Sequence, residues 1–183
     1  MSSLDLLFLL SGATLVTALL IGRLRAAGPV LVMLYALQLW ALWGIDALFG
    51  EPVFSSCRIE ILADQILSWR YNALSWFFAM LAISAALFSA LYASGDWLKK
   101  RLAAGYSAWS FHAALAASVL SMVLLVGAGD FLTLFLGLEL VGWSGFLLMA
   151  IPGGIAARAA LRSLAYAFSG AMAILFALVL IYA

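Results

Sequence analysis

The sequence predicts an all-α, polytopic membrane protein with six transmembrane helices, and three observations carry that prediction. The 183 residues are 68% hydrophobic and only 9% charged, far from the balance of a soluble domain. A bilayer core about 30 Å thick takes roughly 20 apolar residues per spanning helix, and the chain contains six such runs. The runs are long and continuous, unlike the short alternating segments of a membrane barrel.

The first run, near residues 4–22, has Asp5 at its start and is followed by Arg23 and Arg25. A secretion signal needs the opposite order, with positive charge ahead of its apolar stretch. The pattern therefore predicts an uncleaved first helix with its N-terminus outside. The second run spans 29–49 and contains Gln38 and Asp46. The third, 73–94, is separated from it by the long loop GEPVFSSCRIEILADQILSWR, whose β-branched and aromatic residues suggest a short hairpin or a surface-lying segment. The fourth and fifth runs, 108–128 and 130–151, are joined only by GAGD, which requires an antiparallel helix hairpin. Pro152-Gly153-Gly154 breaks the chain after the fifth run, and 162–183 forms the sixth. No repeat or low-complexity linker divides the chain, so residues 1–183 read as a single transmembrane domain.

The nine Lys+Arg residues test this layout. Arg23, Arg25, Lys99, Lys100, Arg101, Arg158 and Arg162 fall in or beside the three connections on one side, near 23–28, 95–107 and 152–161. Only Arg58 and Arg70 fall on the other. Seven against two is a positive-inside bias that places both termini outside a bacterial inner membrane. The inner stretch SGDWLKKRLAAGYS carries the Trp97, Tyr106 and basic residues expected at a membrane interface.

Composition also excludes function classes. A net charge of +1, with no basic run beyond Lys99–Arg101, argues against a nucleic-acid surface. One histidine and one cysteine, Cys57, supply no metal-ligand cluster and no internal disulfide. There is no phosphate-binding glycine loop and no nucleophile elbow, so no cofactor and no catalytic centre is expected in this chain.

One residue conflicts with a purely lipid-exposed reading. Glu139 lies nine residues after Asp130, roughly 13 Å into the fifth helix at 1.5 Å per residue. An acidic residue at that depth costs about 2.5–3.5 kcal/mol to insert and usually faces protein or water. A carboxylate whose charge a neighbouring cation can switch is suited to passing a proton. The alternative is a protonated glutamate that bonds a backbone carbonyl and helps pack helices. Gly137, Gly142, Ser144 and Gly145 are small residues near it that let helices approach closely. His112, at the inner start of the fourth helix, is a candidate relay because imidazole ordinarily titrates near neutrality, or is simply tolerated there. Arg162 could set a positive charge near an inner proton entrance, or anchor its helix by snorkelling. Asp130 is expected to cap the fifth helix.

The run GDFLTLFLGLELVGWSGFLLM, residues 129–149, resembles the fifth transmembrane helix of the antiporter-like subunits of respiratory complex I. That family also includes multisubunit cation/proton antiporters and membrane-bound hydrogenases. LFLGLEL, residues 134–140, is similar to the chain N type of NADH–quinone oxidoreductase. The resemblance places Glu139 on the family's helix-5 glutamate, a proton-pathway residue. WRYNALSWFF is similar to the stretch leading into the third helix, with Asn72 where the family usually has aspartate. ALRSLAYAFSGAMAILFALVLIY resembles the sixth helix, with Arg162 where lysine is common.

The resemblance thus covers the first six helices of a fold with about fourteen, built on two inverted five-helix repeats. It implies a membrane subunit of a complex I-like or antiporter-like assembly contributing to proton or cation translocation, with other membrane subunits as partners in the lipid bilayer. The lysines that the family uses on later helices have no counterpart, since Lys99 and Lys100 belong to an inner loop. A shortened paralogue, one half of a split subunit and a truncated sequence all remain open. A non-transporting scaffold that joins other membrane subunits is the alternative function.

Overall fold

The computed structural model describes residues 2–24, 27–46, 50–55, 59–60, 66–95 and 107–182. Among the described residues there are six helices: α1 (Ser3–Ile21), α2 (Ala27–Trp43), α3 (Ala73–Ala93), α4 (Ala108–Val126), α5 (Phe131–Ala150) and α6 (Gly154–Tyr182). All but α2 are long and apolar enough to cross a membrane. At 17 residues, α2 is about 26 Å long, near the lower limit for a span.

Local chemistry fixes where four of these helices start. Ser2 and Asp5 form a reciprocal capping box on α1. Asn72 caps α3 by accepting from the Ser75 amide at 2.9 Å, and Ser107 caps α4 through the Ser110 amide. Asp130 caps α5, accepting from the Thr133 amide at 2.7 Å. Each such cap satisfies an amide with no partner inside its own helix.

Two boundaries differ from the sequence expectation. α2 stops at Trp43, not residue 49, because the Gly44 and Ile45 amides fold back onto the Ala41 and Leu42 carbonyls. Asp46 therefore lies beyond the helix and is exposed. α6 begins at Gly154, eight residues before the expected 162. Gly153 and Gly154 turn the chain with φ of 70° and 54°, conformations that glycine adopts without steric cost. The alanine-rich stretch beyond them is already helical, so Arg158 lies on a helix and not in a loop. The basic cluster Lys99–Arg101 and Cys57 lie outside the described residues.

The four-helix part of the bundle is closed: α1 packs on α2 and α4, and α3 packs on the same two. α5 then packs on α4, and α6 rests on α5. The apolar core sits inside the α1–α4 ring, with Leu7, Leu31, Tyr35, Leu42, Ile83, Leu115 and Val123 all buried. Within that ring, Gln38 accepts from Ser11 and donates to Thr14 at 2.6 Å.

Among the described residues, the long loop between α2 and α3 contributes four two-residue strands: β1 (Val53–Phe54), β2 (Ile59–Glu60), β3 (Ile66–Leu67) and β4 (Arg70–Tyr71). β1 pairs antiparallel with β4, and β2 with β3, so the loop forms the hairpin that its β-branched residues suggested. It also grips the α4–α5 turn. Trp69 bridges to Ala128, the Arg70 amide donates to Gly127 at 2.7 Å, and the Gly129 amide donates to Ser68 at 2.9 Å. At the opposite end of the bundle, Trp109 donates from Nε1 to Leu19, and the Arg23 guanidinium lies 5.6 Å from the Trp109 ring centroid.

Candidate functional site

Glu139 is held by two close helix contacts. On the α4 side, Gly137 lies so near α4 that a Cβ built on it would stand 2.9 Å from the Leu125 Cα. Only a residue without a side chain permits that approach. On the α6 side, a Cβ on Gly142 would lie 3.9 Å from the Ala167 Cβ. Ser144 is also buried, its hydroxyl returned to the Val141 carbonyl, whereas Gly145 has open space around it. The small residues near Glu139 therefore do not act as one set. Gly137 and Gly142 set the spacing on opposite sides of α5.

Between α5 and α6 lies a cleft of about 230 Å³ lined by Glu139, Gly142, Trp143, Ala167, Gly170, Ala171 and their neighbours. Glu139 is half-buried and, among the described residues, is the only ionisable side chain on this wall. Among the described residues it has no hydrogen-bond or ion-pair partner. A carboxylate in the middle of an apolar helix, with water-sized space beside it and small residues opposite, can take up or release a proton or attract a cation.

The other two candidates stand apart from it. The Gly142–Ala167 contact sets Glu139 level with Gly170, eight residues beyond Arg162, a separation of about 12 Å along the helix. Arg162 is exposed. The Leu125–Gly137 contact sets Glu139 level with Val123, eleven residues from His112, or about 16 Å. His112 is 1% exposed inside the ring. The three residues thus do not form one site: Glu139 belongs to the α5–α6 cleft, while Arg162 and His112 lie toward the end of the bundle that carries Arg23.

Asp130 caps α5 and also anchors the loop between α2 and α3. Its Oδ2 accepts from the Ser68 amide at 2.9 Å, the Ser68 hydroxyl at 2.8 Å and the Thr133 hydroxyl at 2.7 Å. Partial burial pushes its carboxyl up, but the hydrogen bonds from Thr133 and Ser68 outweigh this and hold it below the ordinary aspartate value. The capping role was legible in the sequence, whereas the Ser68 contact, 62 residues away, was not. The cleft wall on α6 left a fainter signal, the small residues Ala167, Gly170 and Ala171 at helical spacing.

No family model and no curated protein matches the chain. Among solved structures, it is similar to a chain in the structure of the membrane-bound sulfane sulfur reductase (MBS), an archaeal respiratory membrane complex. The TM-score is 0.77 at 26% sequence identity, over 98% of this chain. This is a multi-pass membrane protein with the fold of a membrane-complex subunit. It spans 28% of the length of the MBS chain that it matches.

Proposed function

We propose that the protein is a membrane subunit of a respiratory, redox-linked complex and contributes to proton or cation translocation through Glu139. The observation that carries this reading is the position of Glu139: a half-buried carboxylate near the middle of the apolar helix α5, beside a cleft large enough for water. The similarity to an MBS chain over nearly the whole sequence supports a setting among other membrane subunits. So does the resemblance of residues 129–149 to the helix-5 segment of antiporter-like subunits.

In this reading Glu139 is the group that changes protonation. Arg162, about 12 Å away along α6, acts on it only as a long-range positive charge near the inner entrance. His112 is further away still and is a secondary relay at most. Electron transfer belongs to partner chains, because no cofactor is expected in this one.

The experiment is Glu139→Gln in the assembled complex, reconstituted into vesicles, with ion movement and redox turnover both measured. Glutamine keeps the volume and polarity but cannot ionise. Coupled ion movement is expected to fall while assembly is preserved. Unchanged ion movement in a fully assembled complex would overturn the reading.

One observation favours a second function. The cleft is otherwise apolar, and among the described residues no cation stands next to Glu139. A scaffold subunit that joins neighbours through its α5–α6 edge would have these features, with Glu139 kept neutral. It predicts that Glu139→Gln leaves both assembly and ion movement intact.

A further inference from the structure

The α1–α4 ring holds polar groups that the α5–α6 cleft does not use. Ser11, Thr14, Tyr35, Gln38 and His112 are each no more than 1% exposed. Three of them satisfy one another: Ser11 donates to Gln38 Oε1 at 3.2 Å, Gln38 Nε2 donates to Thr14 at 2.6 Å, and Thr14 donates to the Leu10 carbonyl at 2.7 Å. The other two do not. Tyr35 Oη and His112 Nδ1 have no hydrogen-bond partner among the described residues. Leaving a buried polar atom unsatisfied costs about 1–3 kcal/mol, so two such atoms in one compartment call for an explanation.

Their placement supplies one. The helices α2 and α4 lie opposite each other in the ring and start at the same end of the bundle. Tyr35 is eight residues from the start of α2 and His112 four from the start of α4, about 12 and 6 Å into their respective helices. Helical side chains lean toward their own N-terminus, so the Tyr35 phenol leans toward the level of His112. Alanines line this part of the ring, with Ala18, Ala86, Ala90 and Ala116 all buried. Gln38 lies three residues after Tyr35, hence on the same helix face, and keeps a second amide hydrogen.

We propose that the α1–α4 ring contains a hydration site in which a bound water joins the Tyr35 phenol to the His112 imidazole. The water accepts from Tyr35 Oη and donates to His112 Nδ1, and Gln38 Nε2 can supply a further bond. Two to four polar partners is the usual set for a buried water. The site lies in a different helix layer from Glu139 and does not rest on the transport reading.

X-ray radiolytic footprinting of the full chain in nanodiscs tests this, because hydroxyl radicals formed from a held water label the side chains beside it. Tyr71 is the internal control: it is equally buried, but its Oη is satisfied by the Val123 carbonyl at 2.8 Å. Labelling is expected at Tyr35 and His112 with Tyr71 protected, and in Tyr35→Phe the His112 label should be lost. Protection of Tyr35 and His112 equal to that of Tyr71 would overturn the proposal. So would labelling of all three at one rate, which indicates bulk solvent, or a His112 label that survives Tyr35→Phe.

Discussion

Ser68 donates both its backbone amide and its hydroxyl to one oxygen of Asp130, at 2.9 and 2.8 Å. A loop residue and a helix cap 62 positions apart thereby fix where α5 begins. Because α5 also carries Glu139, this contact sets the height of the candidate site in the bundle.

The contact is pH-dependent in a defined direction. The Asp130 carboxyl is held below the ordinary value of 3.8 in the folded protein. Its contribution to stability is therefore fully present above 3.8 and is lost as pH falls through the lowered folded-state value. Asp130→Asn keeps a capping side chain but removes the charge. Thermal unfolding in detergent should show the wild type more stable than Asp130→Asn near neutrality, with the two converging in acid. A difference that persists undiminished in acid would mean that the charge is not the source.

Gly137 should tolerate no side chain. A Cβ there meets the backbone of Leu125 at 2.9 Å, and backbone in a helix cannot step aside as a flexible side chain can. Gly137→Leu should separate α4 from α5 and destabilise by about 1–3 kcal/mol, as overpacking typically does. Gly145→Leu is the matched control, since a Cβ at Gly145 has nothing within 4 Å. Equal unfolding temperatures for the two variants would refute the close approach.

Tyr71 ties β4 to the far end of α4 by donating to the Val123 carbonyl at 2.8 Å, with its ring fully buried. Tyr71→Phe keeps the packing and removes only the donor, so it should cost about 0.5–1.5 kcal/mol. Hydrogen exchange localises the effect. Amides that hold the loop to the α4–α5 turn, Arg70 and Gly129, should exchange faster, while those of α1 and α2 should not change.

What the sequence reveals follows from which interactions are local. Apolar runs are read along one segment, so six helices were legible, as were the Asp130 cap and the turn at Gly153-Gly154. The start of α6 was misplaced because Arg158 and Arg162 resemble a polar connection, although their neighbours Ala156, Ala157, Ala159 and Ala160 favour helix. Glu139 was legible because one carboxylate in an apolar run is conspicuous. The cleft beside it was not, since it depends on which face of α6 meets α5. The separation of His112 and Arg162 from Glu139 was equally hidden, because it follows from helix register and not from residue type. The Ser11–Gln38–Thr14 network needs α1 and α2 aligned before its three members meet.

The cleft itself offers the sharpest separation of the two functional readings. Ala171 is 7% exposed and lines the cleft that Glu139 faces. A leucine there adds three carbons, which a space of about 230 Å³ can accept, so Ala171→Leu should fold and assemble normally. It narrows the space for water beside the carboxylate while leaving the carboxylate in place. If Glu139 exchanges protons or cations through that space, ion movement should fall in Ala171→Leu, though less than in Glu139→Gln, with redox turnover measured in the same vesicles. If Glu139 is a neutral packing group, the added side chain should raise the unfolding temperature by filling the void, and ion movement should be untouched. The two readings thus predict opposite results for a variant that alters no ionisable residue.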